Sequence, residues 1–274
     1  MLAIQYKDDL APFLCDKISN SEIFDAILLN GGISPVYQPI VSLTNGHIFG
    51  YEALSRISNN NFDINIEQLF QIADDINRAW ELEKLCRTIS LEGAVSMSIG
   101  KKLFINVDPN IINDYDFKSG FTKDRLKEYG MDCRDIIFEI TERVAVRNNN
   151  TFMASIRHYK NQHYGIAIDD VGAGYSGLKM LTDIRPNYIK LDVSLIRDIN
   201  TDIIKQYLCK AMSDFSKNSG IKLIAEGIET VEELTTLILF GVDYGQGYFL
   251  GMPNEKLLDI PLEKKQIIIE HQVS

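Results

Sequence analysis

No apolar run in this sequence approaches the roughly 20 residues that a membrane-spanning helix needs. Its opening residues already carry Asp8, Asp9 and Asp16, so they lack the apolar stretch of a secretory signal. Cysteine is scarce. Cys15, Cys86, Cys133 and Cys209 stand far apart and form no C-x-x-C pair, which argues against a zinc knuckle or a disulfide framework and suits a reducing cytoplasm. Histidine is equally scarce, and His47, His158, His163 and His271 are scattered, none followed by aspartate. Basic residues are outnumbered: 28 Lys and Arg face 38 Asp and Glu, a net charge of −10. A protein that grips polymeric nucleic acid carries a basic face, so that function is not expected. If the ligand is phosphorylated, positive charge has to be local or come from bound metal.

What is present is an even composition, 45% hydrophobic over 274 residues, enough for one large core. No Pro/Ser-rich linker divides it. The chain reads as an N-terminal arm or short helix over 1–30 and a single domain over 31–274. Ser21 is the expected N-cap of a helix over 21–30, with Gly31-Gly32 as its stop. Strands over 35–41 and 47–56 flank Thr44-Asn45-Gly46, a strong hairpin signal. From Ile66 to Ile89 apolar residues recur at helical spacing, with Trp80 as core. Apolar runs over 103–107, 136–140, 166–169, 188–191, 223–225 and 242–245 then alternate with helices, among them 151–163, 202–219 and 231–240. The last helix has a capping box, Thr230 with Glu233, and Gly241 as its stop. The runs show no polar alternation, the mark of a parallel sheet covered on both faces. Eight strands favour a (β/α)8 TIM barrel over an open doubly wound sheet. Ile267-Ile268-Ile269 fits either a strand or a helix turn.

The strand ends carry the chemistry. Each run finishes on a polar or charged residue: Glu52, Asn106, Glu139, Asp169-Asp170, Lys190 with Asp192, Glu226 and Gln246. In a TIM barrel these ends converge on one site. Six carboxylates facing one another would repel by several kcal/mol at low dielectric, so they need cations. All the candidate ligands are oxygen donors, which favours Mg²⁺ or Mn²⁺ over zinc.

In this order the residues resemble the EAL-domain phosphodiesterases of cyclic di-GMP, over about 37–253. Tyr37-Gln38-Pro39-Ile40-Val41 looks like the family's opening strand, and Glu52-Ala53-Leu54 is its naming motif, followed by Ser55-Arg56. Glu139-Ile140-Thr141-Glu142 is similar to its ExTE motif. Asp169-Asp170-Val171-Gly172-Ala173-Gly174-Tyr175-Ser176 is similar to its DDFGTGYSS loop. Lys190-Leu191-Asp192, Ala225-Glu226-Gly227-Ile228-Glu229-Thr230 and Gln246-Gly247-Tyr248 complete the series. The departures, Val171 for Phe, Ala173 for Thr and Tyr51 before the motif, remove no ligand.

The resemblance implies a barrel whose first strand is antiparallel, and hydrolysis of cyclic di-GMP to the linear dinucleotide pGpG by a cyclic-guanylate-specific phosphodiesterase. It implies two divalent cations, Mg²⁺ or Mn²⁺, with Ca²⁺ inhibitory. Glu52, Asn106, Glu139 and Asp169 would hold one, and Asp169 would bridge to a second that Asp170 helps bind. Glu226 would be the general base, and Lys190 would sit near the attacking water. Arg56 would contact a phosphate, and Gln38 and Gln246 would line the substrate site. Glu142 would anchor the 169–176 loop, with Asp192 and Glu229 further out. A homodimer through about 171–182 is expected, partly because Tyr175, Leu178, Met180 and Leu181 form an apolar group that barrel packing need not bury. A regulatory protein is a further expected partner. Two other readings stay open: a catalytically silent cyclic di-GMP receptor, and a Schiff-base lyase using Lys190. The scattered histidines argue against the HD-type phosphodiesterases.

Overall fold

The computed structural model describes residues 18–29, 31–58, 62–141, 149–173 and 177–272. The expectations for residues 1–17, for Glu142 and for Gly174, Tyr175 and Ser176 lie outside them.

Eight strands close into a barrel in chain order. β1 (Ile33–Ser42) and β2 (Ile48–Ile57) form the expected hairpin, with Gln38 opposite Glu52. β3 (Lys102–Asn106), β4 (Ile136–Thr141), β5 (Gly165–Val171), β6 (Tyr188–Leu191), β7 (Lys222–Ala225) and β8 (Tyr244–Gly245) continue parallel to β2. β8 returns to β1 antiparallel, Gly245 against Val41, so the fold is a (β/α)8 barrel with its first strand reversed. β8 is shorter than the apolar run over 242–245. Asp243 instead braces β7, its carboxylate accepting from the Leu223 N–H and the Lys222 ammonium.

The helices follow local signals closely, with one correction. α1 (Asn20–Leu29) is capped by Ser19, not Ser21. The Ser19 hydroxyl accepts from the Glu22 N–H while the Glu22 carboxylate accepts from the Ser19 N–H, a reciprocal box that stabilises by about 1 kcal/mol. The periodic stretch from Ile66 to Ile89 is two helices, α2 (Ile66–Asp75) and α3 (Ala79–Gly93), separated where Asn77 takes φ 57°. Its apolar period survives the break because both helices face one cluster, Leu69, Ala73, Leu82 and Cys86, against Phe24 and Ile27 of α1. α4 (Phe121–Tyr129), α5 (Asn149–Asn161), α6 (Gly177–Ile184), α7 (Val193–Ile196) and α8 (Ile203–Ser219) follow. α9 (Val231–Phe240) has both halves of its expected capping box, and Gly241 ends it at φ 72°. Residues 267–269 are helical, within α10 (Leu262–Gln272).

The barrel interior is layered. Ile40, Phe104, Ile137, Ala167 and Ile224, with Phe49, Tyr188 and Tyr244, fill one apolar layer. Two residues nearer the mouth lie Asn106, Glu139, Asp169, Lys190, Glu226 and Gln246, each after its layer residue, and Gln38, two residues before Ile40 on the reversed β1, because inward side chains recur with period two. β2 departs from that period. Ile40 pairs with Gly50 and Val41 with Ile48, so Phe49 is an extra residue. Its ring stacks on Tyr244 at 4.0 Å between centroids and packs against the apolar layer.

Outside the strands, the main core joins sheet to helices. Met180 and Leu181 belong to it, 8% and 2% exposed. They are therefore not the uncovered apolar group that motivated an interface over 171–182. Trp80 is buried, as expected. Among the described residues, no helix is long and apolar enough to cross a membrane.

Candidate functional site

Ile168 pairs with Ile189 and Val171 with Leu191, so Asp169 and Asp170 together oppose Lys190 alone. In a regular strand two consecutive side chains point to opposite faces; the extra residue of this bulge breaks the alternation. Asp170 takes φ 59°, a left-handed conformation uncommon outside glycine. Carboxylate oxygens of Asp169, Asp170 and Glu226 thereby lie within 4.8 Å of one another.

Lys190 is the cation of the mouth, with its side chain 1% exposed. Its ammonium lies 2.7 Å from Glu139 Oε1, 2.7 Å from Glu226 Oε1, 3.1 Å from Asp169 Oδ1 and 3.5 Å from Glu52 Oε2. Amides complete the ring. Asn106 donates to Glu52 Oε1 at 3.0 Å, and Gln246 donates to Glu52 Oε2 at 2.7 Å and to Gln38 Oε1 at 3.1 Å. Gln38 in turn donates to the Gly251 carbonyl. Thus eight strand-end residues expected to converge do so.

The charge balance is the informative quantity. Burial by itself would push Lys190 down, but Asp169, Glu139, Glu226 and Glu52 outweigh it and hold the ammonium well above its ordinary value. Burial lifts Glu226 to about 8, against the opposing pull of Lys190. Burial, reinforced by Glu52, lifts Glu139 well above the usual carboxylate range. Burial would raise Glu52 too, yet Lys190, Gln246 and Asn106 bring it below. Among the described residues, one ammonium faces five carboxylates, which leaves them short of positive charge. Glu139 shows the shortage most sharply: it is 1% exposed and, among the described residues, its Oε2 has no hydrogen-bond partner. Buried carboxylate oxygens without donors, in an all-oxygen set, fit hard divalent cations. The same protonated lysine is unsuited to attack a carbonyl, which disfavours an imine mechanism.

Other expected residues sit further out. Asp192 does not join the acids; it accepts from the Ser194 N–H and caps α7, because a four-residue helix after β6 needs its first amides satisfied. Glu229 forms a two-pronged pair with Arg197. Behind it, buried Glu233 accepts from the N–H groups of Asp198, Glu229 and Thr230. Arg56 is exposed and donates to the Ser55 carbonyl. A cavity of 340 Å³ opens on the acids, lined by Gln38, Glu52, Glu226, Glu229 and Gln246. Leu54, Val193 and Tyr248 also line it, and sequence reading assigned them no role. Leu54 and Tyr248 close two of the motifs given above, and Val193 lies three residues after Lys190.

The EAL domain family model matches residues 20–253. An Escherichia coli K12 protein named as a probable cyclic di-GMP phosphodiesterase, PdeI, is 34% identical over 81% of this chain and 29% of its own length. A standalone EAL protein from Vibrio cholerae O395, solved with c-di-GMP bound, is 31% identical over 85% of this chain and 97% of its own, with a TM-score of 0.73. Klebsiella pneumoniae BlrP1, solved as a calcium/c-di-GMP complex and also as manganese/c-di-GMP complexes, superposes with a TM-score of 0.76 at 26% identity, covering 84% of this chain and 58% of that one. The chain spans 29% to 50% of the length of the curated relatives PdeI and PdeG.

Proposed function

Since this chain belongs to the EAL domain family, we propose that it hydrolyses cyclic di-GMP to the linear dinucleotide pGpG as a cyclic-guanylate-specific phosphodiesterase. The observation that carries this reading is the ring of buried carboxylates around Lys190, with a Glu139 oxygen left without a donor. Two divalent cations, Mg²⁺ or Mn²⁺, would supply the positive charge that a phosphodiester anion and an attacking water both require. Glu52, Asn106, Glu139, Asp169 and Asp170 are the residues to hold them. The bulge suits this task, since it turns consecutive acids to one side. The Asn106 amide nitrogen is engaged by Glu52, so its oxygen is the end available to a cation.

Glu226 is the general base. To take a proton its carboxylate has to be ionised, and the Lys190 ammonium at 2.7 Å, with divalent cations beside it, favours that form. Lys190 fixes the Glu226 carboxylate from one side while it separates Glu52, Glu139 and Asp169. Gln246 is held by Glu52 and Gln38 together, which orients all three toward the cavity in which substrate would lie. Arg56 reaches a phosphate from the exposed end of β2. Glu229 and Asp192 support the surrounding loops.

Incubation with cyclic di-GMP and Mg²⁺, with and without EDTA, followed by chromatography, tests the reading. Formation of pGpG that EDTA abolishes is the expected result. Binding without turnover would make the chain a cyclic di-GMP receptor. The further expectations are a cytoplasmic protein, a regulatory protein partner and a homodimer. With Met180 and Leu181 used in the core, a 171–182 interface has to rely on the rest of that segment. A monomer by light scattering at micromolar concentration would remove it.

A further inference from the structure

Glu83 and Arg87 form an ion pair one turn apart on α3, and both are buried, 3% and 2% exposed. Neither is among the described residues that line the 340 Å³ cavity. A buried ion pair is weak evidence for stability, because apolar residues of similar volume often hold a core as well or better. What the pair touches points to another use. Glu83 directs one carboxylate oxygen to Arg87 and the other to the Asp108 N–H, which donates to it at 3.3 Å. Asp108 lies two residues after Asn106, an exposed residue whose side chain is engaged by Glu52. With little packed around it, the direction of Asn106 depends on the backbone that follows β3. That backbone is fixed at two successive amides: the Val107 N–H donates to the Glu139 carbonyl at 3.1 Å, and the Asp108 N–H to Glu83. Arg87 completes the brace. Its guanidinium lies over the ring of Phe138, the residue before Glu139, at 5.1 Å from the centroid. It also donates to the hydroxyls of Thr122 on α4 and Tyr159 on α5. One pair on one helix thus holds the backs of β3 and β4, the strands that carry Asn106 and Glu139.

We propose that Glu83 and Arg87 are positioning residues for the cation site, setting the separation and direction of Asn106 and Glu139 from behind the sheet. The inference rests on the divalent-cation reading above and adds the part of the chain that makes two of the ligands converge. A carboxylate suits the place because it offers one acceptor to each of the two donors that face it. An amide offers a single acceptor and turns its NH₂ toward the other donor, so glutamine cannot serve both. Groups that orient metal ligands from behind typically contribute a factor of about 10 to 100 in metal affinity or activity.

Mg²⁺ binding measured by titration calorimetry without nucleotide, together with melting curves in EDTA, tests this. The chains compared are the wild type, Glu83→Gln, the double variant Glu83→Leu with Arg87→Met, and Ile268→Ala. The double variant replaces the pair by apolar side chains, and we expect it to melt near the wild type in EDTA. Its Mg²⁺ dissociation constant should nevertheless rise roughly 10- to 100-fold, with turnover of cyclic di-GMP recovering as Mg²⁺ is raised. Glu83→Gln should show the same weakening. Ile268 is buried in α10, whose Lys265 lies against Gly46 at the opposite end of the barrel. Ile268→Ala should therefore lower the melting temperature and leave Mg²⁺ affinity unchanged, which separates positioning from loss of stability. If the double variant does not fold, Glu83→Gln carries the comparison, and failure of both to fold counts against the proposal, because the pair would then serve stability. A wild-type chain that binds no Mg²⁺ overturns the cation reading and this inference with it. A wild type that binds Mg²⁺ while the variants of the pair bind it equally well overturns the positioning alone. So does an Ile268→Ala as weakened toward Mg²⁺ as they are, since the loss would then be a general loosening of the barrel.

Discussion

Asp169 and Asp170 are consecutive in the chain, yet their carboxylates approach each other and Glu226 within 4.8 Å. The β5 bulge opposite Lys190 makes this possible, at the cost of a left-handed Asp170. Strain of about 1–3 kcal/mol at one residue persists where the surroundings over-determine it, and such positions cluster at functional sites.

Lys190 is the first residue to test. Replacing it with Met keeps most of its volume and removes the ammonium from among Glu52, Glu139, Asp169 and Glu226. Uncompensated buried charge costs about 3–5 kcal/mol, so Lys190→Met should melt well below the wild type in EDTA. Added Mg²⁺ should restore part of the melting temperature, because it supplies the missing charge. Calorimetry showing the same melting point for both chains in EDTA would contradict the arrangement.

Glu226→Gln should bind cyclic di-GMP and cleave it roughly 10²–10⁴-fold more slowly, since glutamine keeps the size but cannot accept a proton. Glu52→Gln should instead lose metal affinity and recover in part at high Mg²⁺. A Mg²⁺ titration of both variants separates the roles. Full recovery of Glu226→Gln in excess metal would make Glu226 a ligand and leave the base elsewhere.

Turnover should be supported by Mg²⁺ or Mn²⁺ and suppressed by Ca²⁺, whose longer bonds and looser geometry misplace the oxygens of an in-line displacement. Rates measured in each ion after EDTA treatment and dialysis decide it. Equal rates in Ca²⁺ and Mg²⁺ would speak against the paired-cation reading.

The Cys86 and Cys209 thiols should resist alkylation. Burial pushes Cys86 up to about 11 and Cys209 up to about 12, so at pH 8 both are neutral and shielded. Iodoacetamide at pH 8 should label neither in the folded chain within minutes and both in guanidinium, as peptide mass spectrometry would show. Rapid labelling of either in the folded chain would mean that α3 or α8 opens.

Much of this protein is legible in its sequence, for reasons that are local. The Asn45-Gly46 turn, the unalternating apolar runs, the Thr230–Glu233 box and the polar residue closing each run are properties of short segments, and short segments dictate strands, caps and turns. Period two along each strand is enough to place Glu139, Lys190 and Gln246 on the same side as the apolar layer beneath them. What depends on neighbouring strands is not visible one segment at a time. Asp192 ends a run as Glu226 does, but the demands of a short helix take its carboxylate away from the acids. The cap of α1, by contrast, is local: Ser19-x-x-Glu22 is a box of the same kind as Thr230-x-x-Glu233. Phe49 and Asp170 enter the barrel only because adjacent strands differ by one residue, a register that pairing alone sets. Tyr248 gains its position from Ile228, a distant segment against which glycine lets the chain lie. Chemical identity of the donors is thus a property of the sequence, whereas their shared direction is decided by strand register and close packing, which exist only once the barrel has closed.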